Sequence, residues 1–476
     1  MNINLNKQSS EPLYIQIFEQ LKELIQQGVL PEDYKLPTIR AFANRLDVNN
    51  VTIVNAYKLL EDNKLVYKKV GSGTYVLPMV EKLNISNAIS DDREEQEYDY
   101  NGEDGYIDFA TASPDPRLFP MKDFKQAINE VIERDGGKAF MYHDSRGYLP
   151  LRSSIADYLS VKAIEVGAED IYIISGAQQG IDIIAKALLT NGDYVFVESP
   201  TYTGAAAVFK SRGARIVEIP LQNDGPDMKE LEKLLQVIKP KFMYIMPSFQ
   251  NPTGCSYSER KKKHLMLLCK KYKLLVVEDD YSGDLSYTEK PAIPLKTYDK
   301  SDSVIYIKSF SKIFMPGLRV AFLVIPENIK KTIASAKHMT DLSTSGFMQR
   351  VLDLYLNRNI LDEHIKYMKK EYSVRYFEAV RAVKKYLRGA LFNQPNGGLN
   401  LWIKLPESVN SSDLYELCKK NKVLITTGTL FLKGQEGEQY IRLSFAAVDV
   451  PDITRGIAVI GNAIEEIKKS NRLGDA

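Results

Sequence analysis

From Ile107 onward the chain alternates short runs of β-branched and aromatic residues with longer amphipathic runs, a pattern that few folds accommodate. Ile171 to Ile174 precedes a helical run from Ala177 to Leu189. Tyr194 to Val197 precedes Thr203 to Ser211, and Phe242 to Met246 precedes Ser258 to Tyr272. Leu274 to Glu278 and Val304 to Ile307 complete the series. Parallel strands need a crossover and helices supply it, so this spacing predicts an α/β fold around a mainly parallel sheet. Ligands of such sheets gather at the carboxyl ends of the strands, which is where the chemistry is expected.

The residues that follow each run bear this expectation in their types. After Ile174, Ser175-Gly176-Ala177-Gln178-Gln179-Gly180 turns into a helix whose free N–H groups and dipole suit a phosphate. After Val197, Pro200-Thr201-Tyr202 brings an aromatic face; after Met246, Pro247 to Gly254 presents the Asn251 amide; after Glu278 come Asp279, Asp280 and Tyr281. The last run delivers Ser309 to Arg319, with Lys312 between two serines. A lysine amine that loses its proton can form a Schiff base with a carbonyl, and a guanidinium seven residues on can neutralise an anionic group. Singly, each has a bland reading as a solvated lysine, a capping aspartate or a core tyrosine. Jointly, each at a strand end, they argue for one site.

The N-terminal residues follow a different plan. Leu13, Ile17, Leu21, Leu24 and Ile25 recur at helical spacing, with Gly28 as a stop. Thr38 can cap a second helix through Leu46, with Ile39, Phe42, Ala43 and Leu46 on its buried side. A third helix begins near Asn50; Val51, Val54, Leu59 and Leu60 are expected inside it, leaving Asn50, Thr52, Asn55 and Lys58 outside. Two short helices joined by Asp47 to Asn49 have the order of a helix-turn-helix. The runs Leu65 to Val70 and Thr74 to Val76 around Gly71-Ser72-Gly73 read as a hairpin, a wing. Between residues 35 and 75 seven basic side chains face three acidic ones, a local excess where phosphates would lie.

Composition sets outer limits. A chain of 476 residues suggests two or three domains, and a formal net charge of +2 excludes binding nucleic acid by global charge alone. The three cysteines share no ligand spacing and fit a reducing compartment, and the histidines are scattered, so no metal site is expected. No apolar run approaches the roughly 18 residues that span a bilayer. The chain is thus expected to be cytoplasmic, nucleoid-associated when bound to DNA, and without a membrane partner. The organisation reads as multidomain: residues 1–78 as a winged helix-turn-helix, 79–105 as an acidic linker with nine acids against two bases, and 106–476 as the α/β body, with a small α/β subdomain over about 360–476.

The run from Leu36 to Val76 resembles the winged helix-turn-helix of GntR-type bacterial regulators. By that resemblance, contacts to a double-stranded operator are expected from Thr38, Arg40, Asn49, Asn50, Thr52, Asn55 and Lys58, and from Lys68, Lys69 and Gly71 of the wing. Where the family often opens its recognition helix with Ser-Arg, this chain has Asn49-Asn50, and asparagine pairs with adenine rather than guanine. From Ile107 on, the order of the asparagine turn, Asp-x-Tyr and serine-flanked lysine resembles fold-type I aminotransferases dependent on pyridoxal 5′-phosphate. The resemblance implies that Lys312 carries the cofactor as an aldimine, with Asp279 on the pyridine nitrogen, Asn251 and Tyr281 on the ring hydroxyl and Tyr202 on the ring face. It further implies Ala177, Gln178, Ser309 and Arg319 around the phosphate, and Tyr142 reaching the phosphate of a neighbouring subunit, hence a homodimer. Arg442, in Ile441 to Phe445, matches the arginine that clamps a substrate carboxylate. A reader fused to such a body is the architecture of MocR-class regulators, in which the GABA-responsive and pyridoxine-synthesis regulators fall. The expected function is a transcription factor that senses an amine or amino-acid effector, or the cofactor itself, at Lys312. The alternatives are an active aminotransferase carrying a DNA-binding domain and a scaffold without cofactor. No arginine closely follows Tyr202, the nearest bases being Lys210 and Arg212, which weakens a close match to the GABA-responsive branch and leaves cofactor sensing open.

Overall fold

The computed structural model describes residues 12–26, 34–63, 65–69, 72–77 and 105–474, together with residues 3, 5 and 30. The acidic stretch read as a linker, apart from Gly105, and Gly71 of the wing lie outside them. The chain divides into two compact units, Met1–Ile85 and Ser86–Ala476.

The first unit packs three helices, α1 (Leu13–Gln26), α2 (Ile39–Leu46) and α3 (Asn50–Asp62), under a hairpin of β1 (Val66–Lys69) and β2 (Gly73–Val76). The start of α2 is fixed by Thr38 Oγ1, which accepts the Ala41 N–H at 3.3 Å, and its end by Asp47 in the left-handed region. Asn49 Oδ1 caps α3 by accepting the Val51 N–H at 2.9 Å. The hairpin is antiparallel, pairing Val66 with Val76 and Lys69 with Gly73; residues 34–36 lie along β2, with Leu36 N–H donating to Thr74 O and Val76 N–H to Tyr34 O, both at 2.9 Å. Ile53, Ala56, Tyr57 and Leu60 are the inward face of α3. The expectation that Ile39, Val51 and Val54 pack inward is therefore corrected: they are 37%, 61% and 43% exposed. Apolar type alone does not fix the phase of a short helix, and the i, i+3, i+4, i+7 set beginning at Ile53 is the one that meets α1 and α2.

In the second unit the strands β3 (Ile107–Asp108), β4 (Ile171–Ile174), β5 (Tyr194–Ser199), β6 (Arg215–Gln222), β7 (Gly225–Pro226), β8 (Phe242–Ile245), β9 (Val276–Asp280), β10 (Val304–Ser309) and β11 (Ala321–Val324) come first. Eight of them form one sheet in the order β4-β11-β10-β9-β8-β5-β6-β7. The pairs β10–β9, β9–β8, β8–β5 and β5–β6 are parallel, and β11 runs antiparallel between β10 and β4. The central strands are buried on both faces, which their continuous apolar runs require. A second, four-stranded sheet joins β12 (Leu391–Phe392), β13 (Asn400–Lys404), β15 (Thr426–Thr427) and β16 (Tyr440–Ser444) in the order β12-β13-β16-β15, while β14 (Val423–Leu424) pairs with β3. Its core takes in the helices Ile360–Tyr386, Ser411–Lys420 and Val450–Gly474 and also Ile107 and Phe109, so the small subdomain claims the first residues of the body as well as its last. Among the described residues no helix is long and apolar enough to cross a membrane.

Candidate functional site

The carboxyl ends of β9 and β10 bring a buried acid close to a lysine-bearing loop. Asp279 is 3% exposed at the end of β9, and its Oδ2 accepts the hydroxyl of Tyr244, a fully buried residue of β8, at 2.7 Å. Its Oδ1 is buried with no hydrogen-bond partner among the described residues. Burial pushes this carboxyl up to about 6; the Tyr244 hydrogen bond opposes the rise and the neighbouring Asp280 charge adds to it. Behind it, fully buried Lys308 pairs with Asp280 at 3.1 Å and Asp284 at 2.6 Å, and Lys162 also reaches Asp284. That cluster keeps Asp280 and Asp284 compensated and leaves Asp279 as the acid with an open oxygen.

The turn after β4 has the form an anion site needs. Helix Ala177–Leu188 begins at Gly176 with no side-chain cap, so its first N–H groups stay available. Gly176 has φ 108°, and a Cβ there would collide with the Arg319 guanidinium, whose Nη2 donates to Ser175 O at 2.8 Å. Ser309 is buried at the end of β10, its Oγ accepting the Ser311 N–H at 3.1 Å. Gln178 is tied to Tyr202: its Oε1 accepts the tyrosine hydroxyl at 3.1 Å and its Nε2 donates to Gly204 O at 3.0 Å.

Opposite these ends the small sheet contributes Arg442, which is 2% exposed and stacks on Phe431 at 5.1 Å from the ring centroid. Arg442 Nη1 donates to Asn251 Oδ1 at 3.1 Å, and Nη2 to Ala110 O at 2.7 Å and Thr426 Oγ1 at 3.2 Å. Tyr281 donates its hydroxyl to Phe249 O at 2.6 Å, inside the loop that carries Asn251, and burial pushes its phenol up to about 12. Asn400 lies opposite Ser444 in the β13–β16 register, and the Ser444 hydroxyl is buried without a hydrogen-bond partner among the described residues. Lys312 Nζ donates to Ala112 O at 2.6 Å.

Both cations thus rest on one strap of main chain, residues 110–112. The strap is held at one end by Asp108 Oδ1, which accepts the Ala110 and Thr111 N–H groups at 2.7 and 3.0 Å. At the other end Asp115, 2% exposed, binds Arg375 of the long small-subdomain helix at 2.8 Å and Arg117 at 2.8 Å. The structure links Arg442 directly to Asn251 and, along the strap, to Lys312; Tyr281 bonds the loop that carries Asn251, and Asp279 stands at the adjoining strand end. Tyr142 stands apart from it, 83% exposed. Arg212, one of the two bases nearest after Tyr202, pairs with Asp182 at 2.8 Å. Among the described residues no cluster of three or more His, Cys, Asp or Glu could hold a metal.

Sequence reasoning missed Tyr244, the strap carbonyls and Gln250. Gln250 stands in the same loop as Asn251, and its Nε2 donates to Pro200 O at 2.7 Å and Glu198 Oε2 at 3.2 Å, tying the Asn251 loop to the one that carries Tyr202. Burial pushes Glu198 up to about 7.

In the first unit Arg40, Asn50, Asn55, Lys58 and Lys69 are exposed and Thr52 is half-buried. Thr38 and Asn49 lend their side-chain oxygens to helix caps, so the adenine pairing expected of the asparagines falls to Asn50 rather than to the Asn49 carbonyl. Lys68 pairs with Glu61 at 2.5 Å.

The family model for bacterial regulatory proteins of the gntR family matches residues 13–76, and that for aminotransferase class I and II matches residues 107–460. The chain is 30% identical over 476 residues to YdfD of Bacillus subtilis (strain 168), an uncharacterized HTH-type transcriptional regulator, covering 97% of this chain and 98% of that one. The crystal structure of LysN, the α-aminoadipate aminotransferase of Thermus thermophilus complexed with N-(5′-phosphopyridoxyl)-L-leucine, superposes with a TM-score of 0.72 at 30% identity over 77% of this chain and 94% of that one. That of Pyrococcus horikoshii kynurenine aminotransferase superposes with a TM-score of 0.74 at 32% identity, over 82% and 97%.

Proposed function

Because the chain belongs to the aminotransferase class I and II family and carries a GntR-family regulatory domain, the combination of the MocR class, we propose that it is a transcriptional regulator whose DNA reader answers to ligand chemistry at Lys312. The cofactor in this reading is pyridoxal 5′-phosphate, and the effector is an amine or amino acid, or the cofactor itself.

The residues present fit that cofactor. The observation that carries the reading is Asp279 Oδ1, a buried acceptor with no donor among the described residues, on a carboxyl that burial pushes up to about 6. A pyridine N–H is the donor it lacks, and a protonated ring nitrogen in turn stabilises the carboxylate. Lys312 would supply the amine that bonds the cofactor, and the open helix start at Ala177 and Gln178, with Ser309 and Arg319, would hold the phosphate. Asn251 keeps its amide N–H groups for the ring hydroxyl, since its Oδ1 serves Arg442. Tyr202 would lie against the ring and Tyr281 beside its hydroxyl. When bound, pyridoxal phosphate supplies an electron sink for an attached amine.

The route from ligand to reader runs through the strap. Arg442 would exchange Ala110 O for an effector carboxylate, and Lys312 would give up Ala112 O once its amine held the cofactor. Occupying both would release two charge-assisted bonds on a segment near the start of the α/β body, just after β3. Tyr142, exposed and aromatic, is available to a second copy of the chain, so the responding species is read as a homodimer on paired half-sites.

An absorbance and turnover experiment separates this from an enzyme reading. Purified protein with pyridoxal phosphate should show a lysine-bound cofactor band that amino acids shift once, without sustained turnover. Steady turnover of an amino donor with a 2-oxo acid at about 1 per second or more would overturn the regulator reading.

A further inference from the structure

Helix α3 carries an outer face that the helix-turn-helix core does not use. Ile53, Ala56, Tyr57 and Leu60 are 0–3% exposed and belong to the core, whereas Val51 and Val54 are 61% and 43% exposed on the opposite side. Exposed valines scattered singly mean little. These two are three residues apart in the first half of the helix that, in this architecture, enters the major groove, flanked by the exposed Asn50, Asn55 and Lys58. The described acid of α3, Glu61, lies toward the far end and pairs with Lys68 at 2.5 Å. Exposed Arg40 and Arg45 of the preceding helix and Lys69 of the wing add positive charge to the same unit. An apolar pair flanked by carboxamides and a lysine, in a unit with exposed cations, matches a polyanion with apolar groups on its surface, and the major groove of DNA is one.

We propose that Val51 and Val54 read thymine C5-methyl groups, so that each half-site carries two thymines at fixed positions beside adenines available to Asn50. The methyl is the one base feature in the major groove that an apolar side chain recognises, and cytosine lacks it. Valine is stiff at χ1 and presents its methyls in a fixed direction at small entropic cost. The cap from Asn49 Oδ1 to the Val51 N–H fixes where the helix begins and hence how far Val51 reaches. Three residues of helix rise about 4.5 Å, within two base steps of roughly 3.4 Å, so the pair can reach neighbouring base pairs.

This inference rests on the regulator reading, and the test keeps the two apart. The probe is the duplex that the full-length protein selects from a random-sequence pool, with affinity measured by fluorescence anisotropy at fixed salt. Replacing each thymine singly by deoxyuridine removes only a methyl. Two positions per half-site should weaken binding about 3- to 10-fold, the scale of one desolvated methyl contact. Val51→Ser should abolish the penalty at one position and Val54→Ser at the other, while Val51→Thr, which keeps a methyl, should retain it. Both side chains are exposed, so the variants should melt with the parent. Specific binding in which no deoxyuridine costs more than twofold, or in which the penalty survives both serine variants, overturns the inference and leaves the regulator reading standing. Failure of the pool to yield any specific duplex overturns both.

Discussion

Asp279→Asn isolates the charge that the site holds in reserve. In the chain without cofactor, burial raises this carboxyl from 3.8 to about 6, so at neutral pH the folded state carries a carboxylate with one oxygen unpaired. The folded-state value lies above the unfolded one, so the native state binds more protons between the two. Stability therefore falls as pH rises from about 4 to about 6 and stays low above that window. A gap of about two pH units corresponds to about 3 kcal/mol at pH 8, and to well under 1 kcal/mol near pH 4. Asparagine keeps a carbonyl for the Tyr244 hydroxyl and removes the charge. The variant without cofactor should accordingly melt several degrees above the parent at pH 8 and level with it near pH 4. Added pyridoxal phosphate should stabilise the parent far more than the variant, reversing their order. Calorimetric or fluorescence melts across pH 4–8, with and without cofactor, measure all of this. An Asp279→Asn gain that is absent at pH 8 or independent of pH, or equal stabilisation of both proteins by cofactor, would refute the reasoning.

Tyr244→Phe removes a bond to an ionised group worth about 1.5–3 kcal/mol, so the pH profile of cofactor binding, followed by absorbance titration, should move upward by about one to two units. Arg442→Lys loses the planar fork that serves Asn251, Ala110 and Thr426 together; carboxylate effectors should bind about tenfold or more weakly, with cofactor affinity changed less than about threefold, by spectral titration. Asn49→Ala should cost the DNA-binding unit about 1 kcal/mol in thermal melts through its lost cap, and Asn49→Asp should restore it.

How much of this was legible in the sequence depended on whether a side chain or the fold sets the feature. Strand ends at Asp279 and Ser309, the cap at Thr38 and the wing could be read because residue type and period determine them locally, whereas Asn49, read as a DNA contact, turns out to cap α3. The phase of α3 was misread at Val51 and Val54 because a short helix with apolar residues on two faces does not announce which one meets the core. The strap could not be read at all: Ala110 and Ala112 act through carbonyls that every residue possesses, and only the pairing of β3 with β14 brings them under Arg442 and Lys312. Tyr244 looked like an ordinary strand residue, since its bond to Asp279 arises from the parallel register of β8 and β9. Likewise Ile107 and Phe109 join the small subdomain across more than 300 residues of chain, beyond any local pattern.

The central claim is that ligand chemistry at Lys312 governs the DNA reader, and operator binding by the full-length chain tests it most directly. Affinity and footprint would be measured on the selected duplex with pyridoxal phosphate alone and with each common amino acid added, for the parent and for Lys312→Ala. The account predicts that at least one of these conditions shifts the affinity of the parent by about fivefold or more, or changes its footprint, while Lys312→Ala binds the same duplex and does not respond. Identical binding by the parent under every condition, or an undiminished response in Lys312→Ala, would contradict it.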